Sequence, residues 1–238
     1  MEREINPVKT SLRNNLHSIY LATSTLSGTK TKIEQSNQES INQANKKNEK
    51  LTILLHGYLA NHYRSMHSAV EWFKKRDLNP VSFGYNYKIP TRESALEVKT
   101  QIDEIREKTN TETVNLIGIC LGGVVARYYA EKLNGKEAIH KLVTVHSPLK
   151  PLPERNWIFQ LHKILGNKPE LSNQGIKEIE DCFTVKNHLS LYGIDDKIIR
   201  PEYAKTDKIK QTGVSGGHLF ISYNPAILQT TLDYLLEN

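Results

Sequence analysis

Beyond residue 50 the chain changes character. Leu51-Thr52-Ile53-Leu54-Leu55 is a continuous apolar run of strand length, and strand-like and helix-like segments alternate from there to the end. That alternation predicts a mostly parallel sheet covered by helices, an α/β fold. Strands are predicted near Pro80 to Gly84, Val114 to Ile119, Lys141 to His146 and Leu189 to Tyr192, with a weaker one near Ile209 to Thr212. Helices are predicted near Tyr63 to Arg76, Arg92 to Lys108, Leu121 to Leu133 and Pro225 to Leu236. Ala95, Val98, Ile102 and Ile105 give the second of these one apolar face at helical spacing.

The first 50 residues read differently. Val8, Leu12, Leu16, Ile19 and Tyr20 recur at helical spacing and predict an amphipathic helix over residues 8 to 21. From Gly28 to Lys50 the chain is Thr, Lys, Gln, Asn, Ser and Glu with hardly an apolar residue, a composition that predicts a mobile linker. The expected organisation is therefore an N-terminal helix and polar linker over 1–50, then one domain over 51–238. A small helical cap is expected within it at about 149–185, where Trp157, Ile158, Phe159, Leu161, Ile164 and Leu165 form an amphipathic stretch. Such a stretch can cover a pocket or simply pack over the sheet edge.

A chain of 238 residues that is 38% hydrophobic suffices for one α/β domain with a full core. The formal charge of +6 is spread along the chain and interleaved with acids, so most of it reads as solvated surface. No zinc-finger spacing or basic-aromatic motif points to nucleic acid, whereas a peripheral contact with an anionic membrane stays open. Oligomeric state leaves no mark. Two cysteines, Cys120 and Cys182, are too few for a disulfide-stapled fold. The start lacks the apolar core of a signal peptide and no stretch reaches bilayer length, so a cytoplasmic location is expected. Neither a His-Glu-x-x-His stretch nor paired cysteines appear, and no metal or cofactor is expected.

The chemistry concentrates in Gly118-Ile119-Cys120-Leu121-Gly122-Gly123, which follows an apolar run and opens a helical stretch. This is the form of a nucleophile elbow with cysteine at its apex, where glycines on either side leave room for a sharp strand-to-helix turn. A helix N-terminus at Leu121 favours the thiolate of Cys120; the competing reading is a buried structural cysteine, the role assigned to Cys182. A thiol nucleophile needs a base and an acid to orient it. His218, in the glycine-flanked loop Val214-Ser215-Gly216-Gly217-His218, lies ahead of the last helix and is the candidate base. His17, His62, His67, His140, His162 and His188 read as surface or satisfied core residues. Asp195 and Asp196 in the turn after Tyr192 both qualify as the acid, and spacing alone does not choose between them. The turn after His56-Gly57 is expected to aim the Tyr58 amide at the same point as the Leu121 amide, forming an oxyanion hole with each donor worth about 3 kcal/mol, with the His56 ring buttressing that turn.

Taken together, strand-His56-Gly57-Tyr58, the segment Asn115 to Tyr129 around Cys120, and Gly217-His218 resemble the α/β-hydrolases of the bacterial lipase and esterase type, from about Leu51 to the C-terminus. The resemblance implies an α/β-hydrolase fold and carboxylic ester hydrolysis through a Cys120-His218-Asp196 triad and an acyl-enzyme. It favours Asp196 over Asp195, because Gly193, Ile198, Ile199 and Pro201 match the family's surroundings of the acid. It implies a small-molecule or lipid ester as substrate. The chain departs from that family in carrying cysteine where serine stands, Ile119 where histidine is usual, and Ser147-Pro148-Leu149 in place of Thr-Pro-His. No early strand pair precedes Leu51, as in smaller lipases with a reduced sheet. The cysteine elbow is similar to those of dienelactone hydrolases and polyhydroxyalkanoate synthases, which adds acyl transfer and synthase-like thioester chemistry as alternatives. A non-catalytic binding protein on the same scaffold is the third.

Overall fold

A computed structural model describes residues 26–47, 49–58, 60, 62–155, 157–164, 168–218 and 221–237. In chain order its elements are α1 (Leu26–Lys47), β1 (Leu51–Leu55), α2 (His62–Ser65), α3 (His67–Lys74), β2 (Asn79–Phe83), α4 (Thr91–Thr109), β3 (Val114–Ile119) and α5 (Leu121–Lys132). There follow β4 (Ile139–Val145), α6 (Trp157–Ile164), α7 (Pro169–Ile179), β5 (His188–Gly193), α8 (Pro201–Ala204), β6 (Lys210–Val214) and α9 (Pro225–Leu236). The six strands form one sheet in the order β2-β1-β3-β4-β5-β6. Every neighbouring pair is parallel.

Strands buried on both faces explain why their sequences run apolar without strict alternation. Along β1, Leu51, Ile53 and Leu55 face one layer, with Val98 and Ile102 of α4 and Val124 and Tyr128 of α5. Leu54 points to the other, with Val70 and Phe73 of α3 and Leu228 and Leu232 of α9. Each fully buried aliphatic or aromatic side chain here contributes about 1.5–3 kcal/mol. The last helix starts where Asn224 Oδ1 accepts from the amides of Ala226 and Ile227 and Pro225 takes the first turn, a cap that fixes its boundary.

Two expectations change. Residues Leu26–Lys47, expected within a mobile linker from Gly28, form a 22-residue helix. Among its described side chains the buried ones are Ile33, Ser36, Ser40 and Ala44, spaced as one helical face but half polar. Asn37 secures it to the sheet edge: its side chain donates to Ser82 O and accepts from Ser82 N, each at 3.0 Å. The single helix expected near Tyr63 to Arg76 is two, α2 and α3, interrupted at Met66. The helix expected over residues 8 to 21 lies outside the described residues. No helix among the described residues is long and apolar enough to cross a membrane.

The stretch from 149 to 185 contains α6 and α7. The second is clamped to the body by Arg127 of α5, which is wholly buried and donates from Nη2 to Ile179 O at 2.7 Å and Cys182 O at 3.1 Å. Tyr128 adds a hydrogen bond to Glu178 at 2.5 Å.

Candidate active site

The chain enters the sheet at β1, runs to the β2 edge, then returns across β1 to β3. The crevice outside the carboxyl ends of β1 and β3 is therefore the topological switch point, where open α/β sheets bind ligands. Tyr58 follows β1 and Cys120 follows β3, so the fold alone brings the two turns side by side.

At the elbow the backbone of Cys120 adopts φ 52°, ψ −117°, a conformation that costs a residue with a Cβ about 1–3 kcal/mol. Cys120 N donates to Val145 O at 2.8 Å and Gly123 N to Cys120 O at 3.1 Å, which hold the turn. The flanking glycines are steric necessities. A Cβ on Gly118 would meet the backbone of Gly122 at 2.5 Å, and one on Gly122 would meet Leu55 O at 2.5 Å and His56 O at 2.6 Å.

The Cys120 sulfur lies within hydrogen-bonding reach of His218 and of the backbone amides of Tyr58 and Leu121. Burial alone raises a thiol; here the His218 charge and hydrogen bond, with the two amides, outweigh it and hold Cys120 below its ordinary value. Burial lowers an imidazole, yet the thiolate and Asp196 push His218 up to about 10. Both shifts run toward the charged form of the group, thiolate on Cys120 and imidazolium on His218.

His218 Nδ1 donates to Asp196 Oδ2 at 2.6 Å, which leaves Nε2 for the sulfur. Asp196 is 2% exposed. Its Oδ1 accepts from Ile198 N at 2.8 Å and Ile199 N at 3.0 Å. Burial opposes the charged carboxylate, but the donors from His146, His218 and Ile198 win and hold it well below the usual carboxylate range. Asp195 is exposed and bonds the loop instead, its Oδ1 accepting from Gly216 N at 3.1 Å and Gly217 N at 3.3 Å.

The turn after β1 is braced from behind. The His56 ring stacks on Tyr85 with centroids 4.4 Å apart, donates from Nδ1 to Gly57 O at 2.9 Å, and its carbonyl accepts from Tyr85 OH at 2.6 Å. Burial and then the neighbouring Tyr87 and Glu170 push the Tyr58 phenol up to about 12. A cavity of about 770 Å³ is lined by His56 and Tyr85 together with residues of α1, α4 and the β2 edge.

All five expected site residues, Cys120, His218, Asp196, Tyr58 and Leu121, thus meet at one point. Cys182 is half-buried against the α5 side of the core. Sequence reasoning misses His146, whose Nδ1 lies 2.8 Å from the same Oδ2 of Asp196; its one signal in the sequence is its position at the end of the strand predicted over Lys141 to His146. The donor atoms of His146, Asp196 and His218 all lie within 4.8 Å of one another, and both Nδ1 atoms are committed to the carboxylate.

Among solved structures the chain is similar to the mature Bacillus licheniformis lipase BlEst2, at 14% identity and a TM-score of 0.64 over 79% of this chain and 93% of that one. It is also similar to the ydeN gene product of B. subtilis, at 13% identity and a TM-score of 0.57 over 79% and 100%. A thioesterase domain from the curacin biosynthetic pathway aligns at 17% identity and a TM-score of 0.52 over 77% and 91%. These likenesses establish the α/β-hydrolase fold. No curated protein matches the sequence. The sequence profile of the palmitoyl protein thioesterase family matches residues 52–178, just over half of the 238, and the chain belongs to that family of α/β-hydrolases.

Proposed function

We propose that the protein hydrolyses carboxylic esters and thioesters with Cys120 as nucleophile, His218 as general base and acid, Asp196 as its orienting acid, and the amides of Tyr58 and Leu121 as the oxyanion hole. The observation that carries this reading is the environment of one atom. The sulfur of Cys120 receives His218 and both backbone amides at once, the donor set that a thiolate and a developing oxyanion both need.

In the resting site the thiolate faces the His218 imidazolium. Attack on the substrate carbonyl forms the carbon–sulfur bond and moves the carbonyl electron pair onto oxygen, where the two amides stabilise it. Collapse expels the alcohol or thiol, which takes the Nε2 proton of His218, and leaves an acyl-thioester on Cys120. His218, now neutral, removes a proton from water; the hydroxide attacks, the carbon–sulfur bond breaks, and carboxylic acid and thiolate are regenerated. Each oxyanion donor is worth about 10²–10³ in rate.

The family's description names palmitoyl-protein thioesters, which makes acyl thioesters the first substrates to compare with p-nitrophenyl esters. A chain-length series on both classes tests the proposal beside Cys120→Ala. Hydrolysis lost in that variant supports it; hydrolysis retained in full by Cys120→Ala contradicts it.

A further inference from the structure

We propose that His146 is a positioning residue of the reaction: a second imidazole, sealed in the core, that shares Asp196 Oδ2 with His218 and so limits how strongly the carboxylate holds the His218 proton. The inference rests on the reading of Cys120 and His218 given above.

The site around His146 is built for this bond. Its side chain has no exposure and its Nδ1 lies 2.8 Å from Oδ2, against 2.6 Å for His218 Nδ1. His146 sits at φ 47° immediately after β4, a left-handed conformation that residues with a Cβ seldom adopt, and its amide donates to Leu191 O at 2.7 Å. Gly193 leaves the ring its space: a Cβ there would meet His146 Cε1 at 2.4 Å and Asp196 Cβ at 2.6 Å. A strained backbone and a cleared neighbour both serve one contact.

The protonation pattern follows from donor counting. The carboxylate accepts from Ile198 N, Ile199 N and both imidazoles. An ionised carboxylate has no proton to give, so both Nδ1 atoms carry one. The Nε2 of His146 is buried with no hydrogen-bond partner among the described residues. The charged and titratable groups facing His218 are Asp196 from the loop after β5, Cys120 from the elbow and the His146 ring, whose centroid is 5.9 Å away. Tyr85 faces Cys120 from the loop after β2.

With the donor of His146 gone, the full charge on Oδ2 falls on His218. The imidazolium gains stability and so does its thiolate partner. Deacylation, which needs neutral His218, becomes harder at a given pH.

The test is the pH dependence of iodoacetamide labelling of Cys120 in the full chain, with kcat measured in parallel. His146→Leu is expected to lower the labelling midpoint by about one pH unit, a tenfold change in the ionisation equilibrium. The acidic limb of kcat is expected to move up by a similar amount with KM little changed. His146→Asn, which keeps an N–H near Nδ1 and tolerates a left-handed backbone, is expected to return both most of the way. A wild-type midpoint well below the ordinary thiol range that His146→Leu leaves in place overturns the inference alone. An ordinary wild-type midpoint overturns the reading of Cys120 and this inference with it. Should His146→Leu not fold, nitrogen NMR of the wild-type protein decides: His146 protonated on Nδ1 supports the proposal, and protonated on Nε2 overturns it.

Discussion

Asp195 and Asp196 are neighbours in one turn but serve different partners: Asp196 Oδ2 accepts from the His218 ring, while Asp195 Oδ1 accepts from the Gly216 and Gly217 amides just before it. One carboxylate orients the imidazole and the other holds the loop that delivers it. Asn224 adds a third tie, donating from Nδ2 to Ser215 O at 2.8 Å.

Removing the two carboxylates is therefore expected to have unequal effects. Asp196→Asn costs on the order of 10³–10⁴ in kcat, because the amide cannot hold His218 in the same tautomer. Asp195→Ala is expected to lower kcat by about tenfold, short of the roughly hundredfold that a 1 Å misplacement of a catalytic group can cost, with little change in melting temperature. Asp195→Asn keeps an acceptor and recovers most of the rate. Steady-state kinetics on a p-nitrophenyl ester, with a thermal melt of each variant, separates the two roles.

Glycine substitutions separate lack of space from backbone conformation. An alanine at Gly122 points its Cβ at the carbonyls of Leu55 and His56, backbone atoms of β1 and its turn that have nowhere to go. Gly122→Ala is expected to destabilise by about 3 kcal/mol or more, a fall in Tm of roughly 10 °C. Gly217 has φ +65° and nothing within 4 Å of a Cβ, so Gly217→Ala is expected to cost only about 1–2 kcal/mol.

Acid stability is expected to depend on His188. It is 3% exposed, its Nε2 pairs with Thr144 Oγ1 at 3.1 Å, and burial, then the nearby Arg127, lowers it to about 3. An unfolded imidazole takes up its proton near pH 6.5. Between about 6.5 and 3 the unfolded chain binds the extra proton, so this contribution is present above 6.5 and lost as pH falls toward 3. His188→Gln removes that titration, and its melting temperature is expected to fall less steeply between pH 7 and 4 than the wild type's.

Much of this was legible in the sequence where one physical signal dominated. Val114–Ile119 is buried throughout and apolar but for Asn115, and α9 carries Asn-Pro at its start, so both were readable. The elbow announced itself because its glycines answer to sterics. α1 did not, because among its described side chains two of the four buried ones, Ser36 and Ser40, are polar, so no apolar stripe marks the face. His146 was hidden for a related reason: nothing local marks a left-handed turn after β4 when the residue is not glycine, and its partner Asp196 lies 50 positions along the chain.

The central claim concerns the Cys120 sulfur, and the most direct measurement is to catch it acylated. A short-chain p-nitrophenyl ester is turned over, quenched in acid, and the protein digested and weighed by mass spectrometry. The account predicts one acyl mass on the peptide carrying Cys120, absent from Cys120→Ala. Sustained wild-type turnover with that peptide unmodified, and an active Cys120→Ala, contradicts it.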